Sequence, residues 1–138
     1  MIAFSDWKHG NVFEGVAENG NKVAFDADPA RTHGPSPMEV VLMALCSCTS
    51  VDVVSILKKK RQTLTGLRVM ATATRAETAP RVFTRIMLTY VVHGRLSCKA
   101  VEDAVALSKN KYCSVSKMLK KAAKIECEIV YADGEPEP

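Results

Sequence analysis

The feature that most constrains the fold is an apolar stretch from Val40 to Leu57, which directly follows the sequence Ser-Pro-Met-Glu. Ser36 suits an N-cap, Pro37 suits the first helical position, and Glu39 completes a capping box. The stretch ends in the cations 58–61, which complement the helix macrodipole at its C-terminal end. The sequence therefore predicts a buried helix from Ser36 to about Arg61, with an apolar run shorter than the ~20 residues of a membrane span.

The remaining chain alternates between strand and helix patterns. Short alternating runs in the first thirty residues, separated by His-Gly and Asn-Gly turns, predict a three-stranded antiparallel meander. The other predicted elements are strands at 67–77 and 82–92 joined by a turn at 78–80, helices at 98–108 and 115–123 with a break at 110–113, and a strand at 125–131. This β-β-β-α-β-β-α-α-β order predicts one α+β domain over residues 1–138, with antiparallel sheets around a long central helix and a frayed tail at 134–138.

Composition excludes several classes of function. The chain has 138 residues, of which 47% are hydrophobic and 25% charged, as expected of one folded domain with a core. A net charge of +4 is small and dispersed, so we expect no nucleic-acid partner. An odd count of five cysteines and an N-terminus without an apolar leader predict a cytoplasmic protein without a disulfide framework. We likewise expect no membrane partner.

The cysteines hold the candidate chemistry. Cys46 and Cys48 point ~200° apart on an ideal helix, so they form a poor chelate and no metal site is expected. A cysteine on an apolar helix face is otherwise a small hydrophobic residue. Cys113 directly precedes a predicted helix and lies near Lys111, and both features lower the pKa of a thiol. Cys48 and Cys113 form a redox pair if the fold brings their Cα atoms within about 7 Å. The chain has no glycine-rich phosphate loop, so no cofactor is expected.

Three segments carry a family resemblance. Residues 34–48 run from Gly-Pro-Ser-Pro-Met-Glu to Cys-Ser-Cys, residues 80–90 begin Pro-Arg-Val-Phe, and residues 111–119 read Lys-Tyr-Cys-Ser-Val-Ser-Lys-Met-Leu. In order, spacing and context, they resemble the OsmC and organic hydroperoxide resistance superfamily, and within it the YhfA-like branch. The resemblance covers nearly the whole chain. It implies an OsmC-like fold and an intertwined homodimer with two sites at the subunit interface.

The resemblance also implies roles for individual residues. The family's peroxidatic cysteine stands eleven residues after the helix-opening proline, which is Cys48 here. Its thiolate would attack the peroxide, and Cys113 would condense with the resulting sulfenic acid to form a disulfide. Family peroxidases also hold the thiolate with a glutamate and an arginine, but Met38 occupies the glutamate position. Glu39, which lies about 180° around an ideal helix from Cys48, and Arg31 are the substitutes we consider. Arg81 and Arg85 are further candidates.

Two functions remain open from the sequence. One is a thiol-dependent reductase of organic hydroperoxides that uses Cys48 and Cys113, with an unidentified thiol reductant. The other is a non-catalytic OsmC-like protein that binds a small hydrophobic ligand at the dimer interface. The discriminating observation is whether Cys48 and Cys113 lie within reach of each other, with a guanidinium group near Cys48.

Overall fold

The structure is a computed structural model that describes residues 1–134. The predicted frayed tail therefore lies, apart from Gly134, outside the described residues. The chain divides into two compact units, Met1–Leu42 and Met43–Pro138, which we call the N-terminal and C-terminal units. The boundary falls inside a helix, and the predicted single domain stays a prediction.

The N-terminal unit is the predicted antiparallel meander. Its strands are β1 (Ala3–His9), β2 (Val12–Ala17) and β3 (Lys22–Asp26), in the sheet order β1-β2-β3. Gly10 connects β1 to β2 with a φ of 49°, a conformation that glycine adopts at no steric cost. The register pairs Trp7 with Phe13 and Phe13 with Phe25, so aromatic side chains follow one another across the sheet.

The long helix α1 (Pro37–Lys59) begins with the predicted capping box. The Glu39 backbone N–H donates to Ser36 Oγ at 3.2 Å, and the Ser36 N–H donates to Glu39 Oε1 at 3.0 Å. Within the C-terminal unit, α1 buries a stripe in which every fourth side chain is enclosed: Leu45, Thr49, Val53 and Leu57.

Helix α1 is longer than the apolar run of residues 40–57 that it contains. Helix α1 has 23 residues and a mean hydropathy of 2.2 over its most apolar window, so by length and composition it passes as a membrane span. One such helix is weak evidence, because the core helix of a soluble protein passes the same test.

The C-terminal unit contains a second sheet of three strands, β4 (Thr63–Arg75), β5 (Phe83–Arg95) and β6 (Lys124–Tyr131). Strands β4 and β5 form the predicted antiparallel hairpin, but β5 and β6 pair in parallel, which corrects the expectation of antiparallel sheets throughout. The physical reason is the connection from β5 to β6, which runs through helices and is long enough to return the chain to the same end of the sheet.

Two helices and a wide helical turn form that connection. Helix α2 (Cys98–Leu107) buries an apolar face that includes Val101 and Val105, and helix α3 (Ser114–Leu119) precedes β6. Between them, residues Ser108–Tyr112 form a π-helical turn, where the sequence predicted a break. Such turns insert one extra residue into a helix and occur often at functional sites.

Candidate functional site

The π-helical turn determines where Cys113 lies. The Cys113 backbone N–H donates to the Ser108 carbonyl oxygen at 2.9 Å, the five-residue step that defines the turn. Cys113 then acts as the N-cap of α3, and its Sγ accepts a hydrogen bond from the Ser116 N–H at 3.4 Å. Its side chain is buried, with an exposed fraction of 3% for the residue.

Cys48 and Cys113 lie close enough for the Cys48 thiol to influence the pKa of Cys113. Burial is the main cause that raises the pKa of Cys113 to about 11, the Ser116 N–H opposes it, and the neighbouring Cys48 thiol raises it further. The N–H groups at the start of the helix do lower the pKa of Cys113, as predicted, but burial raises it by more. The expectation of a lowered pKa at Cys113 is therefore wrong. Cys48, on α1, is only half-buried and is the more accessible of the two thiols.

A chain of buried hydroxyls lies near these thiols, and we did not predict it from the sequence. Ser108 Oγ donates to Asp52 Oδ2 at 2.8 Å, Ser108 Oγ and Thr49 Oγ1 are 2.7 Å apart, and Thr49 Oγ1 lies 2.7 Å from the Tyr90 hydroxyl. These residues come from α1, β5 and the π-helical turn. The available signal was the pair Thr49 and Asp52, two polar residues three apart, and thus on one face, in an apolar helix.

Cys127 lies at the tyrosine end of this chain. Strand β6 places Cys127 opposite Leu88 on β5, on the sheet face that also carries Tyr90. Burial raises the pKa of Cys127, while the charge of Lys109 and the Tyr90 hydroxyl oppose that rise. Burial likewise raises the pKa of Tyr90, and the negative charges that Cys127 and Cys113 can carry add to it. The Tyr90 hydroxyl is therefore within electrostatic reach of two thiols.

The other two cysteines have different surroundings. Cys98 donates to Glu102 Oε1 at 3.2 Å and accepts from the Tyr131 hydroxyl at 3.4 Å. Burial raises the pKa of Cys46. Neither thiol belongs to the hydrogen-bonded chain around Tyr90.

In the N-terminal unit, Arg31 and Glu39 form an ion pair. Arg31 Nε donates to Glu39 Oε1 at 2.8 Å, and a second guanidinium nitrogen donates to the Asp28 carbonyl oxygen. The Arg31 hydrogen bond, followed by those of Ser36, lowers the pKa of Glu39 to about 2. Glu39 therefore keeps the capping role predicted for it and is also the carboxylate partner of Arg31.

Across residues 1–134, no group of three or more His, Cys, Asp or Glu side chains is arranged to hold a metal ion. All five cysteines are free thiols.

The fold matches that of a known class of proteins. Residues 28–128 match the family described as OsmC-like protein, and the chain belongs to that family.

Among its relatives is the protein YhfA of Escherichia coli strain K12, which is 47% identical over 126 residues, or 91% of this chain and 93% of YhfA. A hypothetical protein from Aquifex aeolicus has a crystal structure with a TM-score of 0.82 at 32% identity, covering 94% of this chain and 96% of that one. An organic hydroperoxide resistance protein from Elizabethkingia anophelis has a TM-score of 0.69 at 11% identity over 94% of each chain, which shows a shared fold alone.

Proposed function

We propose that the protein is a thiol-dependent reductase of organic hydroperoxides, with Cys48 as the peroxidatic cysteine and Cys113 as the resolving cysteine. The observation that carries this proposal is the proximity of the two thiols, which come from α1 and from the start of α3. Their different exposure supports the division of roles, because a peroxide reaches a half-buried thiol before a buried one.

The reaction proceeds in two steps. The Cys48 thiolate attacks the terminal oxygen of the hydroperoxide, the O–O bond breaks, and the alkoxide takes up a proton to leave as an alcohol. Cys48 is then a sulfenic acid. The Cys113 sulfur attacks it, an S–S bond forms, the S–O bond breaks and water leaves. One hydroperoxide is reduced, two thiols are oxidised, and a thiol reductant restores them by exchange.

Arg31 and Glu39 enter the proposal as a pair. Their ion pair has the same chemistry as the arginine and glutamate that the family resemblance implies, with the carboxylate one position after Met38. We expect Arg31→Lys, which keeps the charge but loses the guanidinium geometry, to slow peroxide turnover. Arg75→Lys is the matched control, because Arg75 is not a candidate for this role and its side chain donates to the Arg81 carbonyl oxygen.

The direct test measures consumption of cumene hydroperoxide with excess dithiothreitol. We expect turnover in the wild type, its loss in Cys48→Ser, and retention in the control Cys46→Ser, which removes a thiol two residues away on the same helix. Equal turnover in Cys48→Ser and the wild type, or none in the wild type, would contradict the proposal.

A second function is favoured by an apolar cavity in the N-terminal unit. It has a volume of about 780 Å³, and its lining includes Phe4, Phe13, Phe25 and Val23. Such a cavity suits a small hydrophobic ligand. We would favour this binding function over the reductase if the protein shows no peroxide turnover but binds an aliphatic alcohol, and if Phe13→Ala abolishes that binding.

We further propose a homodimer located in the cytoplasm. Members of this family are commonly dimeric, and β1 and β3 expose large apolar side chains, including Phe4 at 52% and Val23 at 48%. Five free thiols suit a reducing compartment. Light scattering should give twice the chain mass of 15.0 kDa, and a monomer at micromolar concentration would contradict the dimer.

A further inference from the structure

We propose that Ser108 is a positioning residue that fixes Cys113 relative to Cys48. Ser108 forms hydrogen bonds in two directions: its hydroxyl contacts α1, which carries Cys48, and its backbone carbonyl oxygen accepts from the Cys113 N–H. The inference rests on the proposed redox role of the two thiols and adds the residue that sets their separation. Ser108 was not a candidate from the sequence.

The hydroxyl of Ser108 is bound to α1 at two points. Ser108 Oγ donates to Asp52 Oδ2 at 2.8 Å and lies 2.7 Å from Thr49 Oγ1. Because a hydroxyl has one proton, Ser108 accepts from Thr49, whose own oxygen is 2.7 Å from the Tyr90 hydroxyl. Thr49 directly follows Cys48 in the helix, and Asp52 lies one turn further on the same face as Cys48. Both contacts are therefore made next to the proposed peroxidatic cysteine.

The carbonyl oxygen of Ser108 holds the backbone of Cys113. The Cys113 N–H donates to it at 2.9 Å, and this bond closes the π-helical turn. The Cys113 side chain is held separately, because its Sγ accepts from the Ser116 N–H at 3.4 Å. Hydrogen bonds therefore connect α1 to Cys113 through Ser108 without a break.

Burial makes the position of Ser108 specific. Ser108 is 0% exposed and Thr49 is 1% exposed, so water does not compete for their hydrogen bonds. Without the Ser108 hydroxyl, these contacts no longer tie the π-helical turn to α1. A disulfide needs its two Cα atoms within about 7 Å and in a defined orientation. Loss of the hydroxyl should therefore lower the effective concentration of the Cys113 thiol at Cys48.

The experiment measures the equilibrium constant for the Cys48–Cys113 disulfide in glutathione buffers at pH 7, by acid quench and mass spectrometry. One glutathione disulfide takes up the two electrons and two protons of the thiol pair and leaves as two glutathione thiols, so the measurement needs no hydroperoxide. Cys113 has a pKa of about 11 and is protonated at pH 7, so a small change in this pKa leaves the equilibrium constant unaltered. The constant then reports how well the two thiols are positioned.

The first variant is Ser108→Ala. We expect its equilibrium constant to fall by about tenfold or more, which raises the reduction potential of the Cys48–Cys113 pair by about 30 mV or more. Ser50→Ala is the matched control and should keep the wild-type constant, because the Ser50 hydroxyl donates within α1 to the Cys46 carbonyl oxygen at 2.6 Å.

Two results would overturn the positioning role of Ser108. One is a wild-type equilibrium constant in Ser108→Ala, and the other is the absence of a Cys48–Cys113 disulfide from the wild type in every glutathione buffer. A shifted constant in a protein that does not turn over cumene hydroperoxide would contradict only the reductase function and would support the role of Ser108.

Variants on α1 test the same contacts without changing Ser108. Thr49→Val removes the hydroxyl that donates to Ser108 at nearly constant shape, whereas Thr49→Ser keeps it. We expect a lowered equilibrium constant in the first and a nearly normal one in the second. Asp52→Asn keeps an oxygen that can accept from Ser108, so it should lower the constant less than Ser108→Ala does. Equal constants in Thr49→Val and Thr49→Ser would overturn the proposal.

Discussion

The buried state of Cys113 makes a quantitative prediction about its reactivity. Its pKa rises from the ordinary value of 9.0 to about 11, chiefly through burial. At pH 7 about one Cys113 side chain in ten thousand is then ionised to the thiolate, whereas about one in a hundred would be ionised if the pKa were not raised. We therefore expect Cys113 in the folded, reduced protein to react with iodoacetamide at least about a hundredfold more slowly than the same cysteine in the unfolded chain.

The assay is peptide-resolved alkylation across a pH series, with the protein in buffer and in urea. The labelling rate of Cys113 in the folded protein should keep rising beyond pH 9, because its thiolate is still a minor species there. The urea sample is the matched control, since it has the same sequence around Cys113 but no burial. A labelling rate for the folded protein that levels off below pH 9 would refute the reasoning, and would restore the acidic thiol that the helix start alone predicts.

Three further predictions concern stability. Glu39 has a pKa of about 2 in the folded chain against 4.5 in the unfolded chain, so its carboxylate stabilises the fold above pH 4.5 and loses that effect as the pH falls towards 2. The difference in free energy of unfolding between wild type and Glu39→Gln, measured by urea denaturation, should therefore narrow between pH 4.5 and pH 2. Gly94 has a φ of 121°, and an added Cβ would lie 2.0 Å from the Thr63 carbonyl oxygen, so Gly94→Ala should cost at least about 1–3 kcal/mol in the same assay. Leu45 is fully buried and Val51 is 69% exposed, so Leu45→Ala should cost about 2–5 kcal/mol and Val51→Ala within about 0.5 kcal/mol.

Local signals in the sequence predicted much of the fold. The capping box at Ser36 and Glu39 is confirmed atom by atom, because both residues lie within one helical turn and their interaction depends on spacing alone. The order of strands and helices is likewise confirmed, since each element follows its own periodicity. The parallel pairing of β6 was missed, because strand direction depends on how the helices between β5 and β6 turn the chain.

The candidate site was harder to predict than the fold, because it depends on contacts between residues that are distant in the sequence. The family resemblance directed attention to Cys48 and Cys113, but no spacing rule predicts that burial outweighs the helix start at Cys113. The chain of buried hydroxyls could not be predicted from the sequence, because Tyr90 and Ser108 are ordinary strand and helix residues until the fold places their oxygens next to Thr49. Serine, threonine and tyrosine residues show no sequence pattern that distinguishes a buried hydrogen-bonded chain from an exposed surface.

The pairing of Cys48 with Cys113 is the central claim, and its most direct test is a disulfide map. The reduced protein is treated with one equivalent of cumene hydroperoxide, the remaining thiols are alkylated, and the digest is analysed without reduction. We expect one Cys48–Cys113 disulfide in each chain, with Cys46, Cys98 and Cys127 alkylated. A different disulfide, or Cys48 oxidised to the sulfinic acid while Cys113 stays a free thiol, would contradict it.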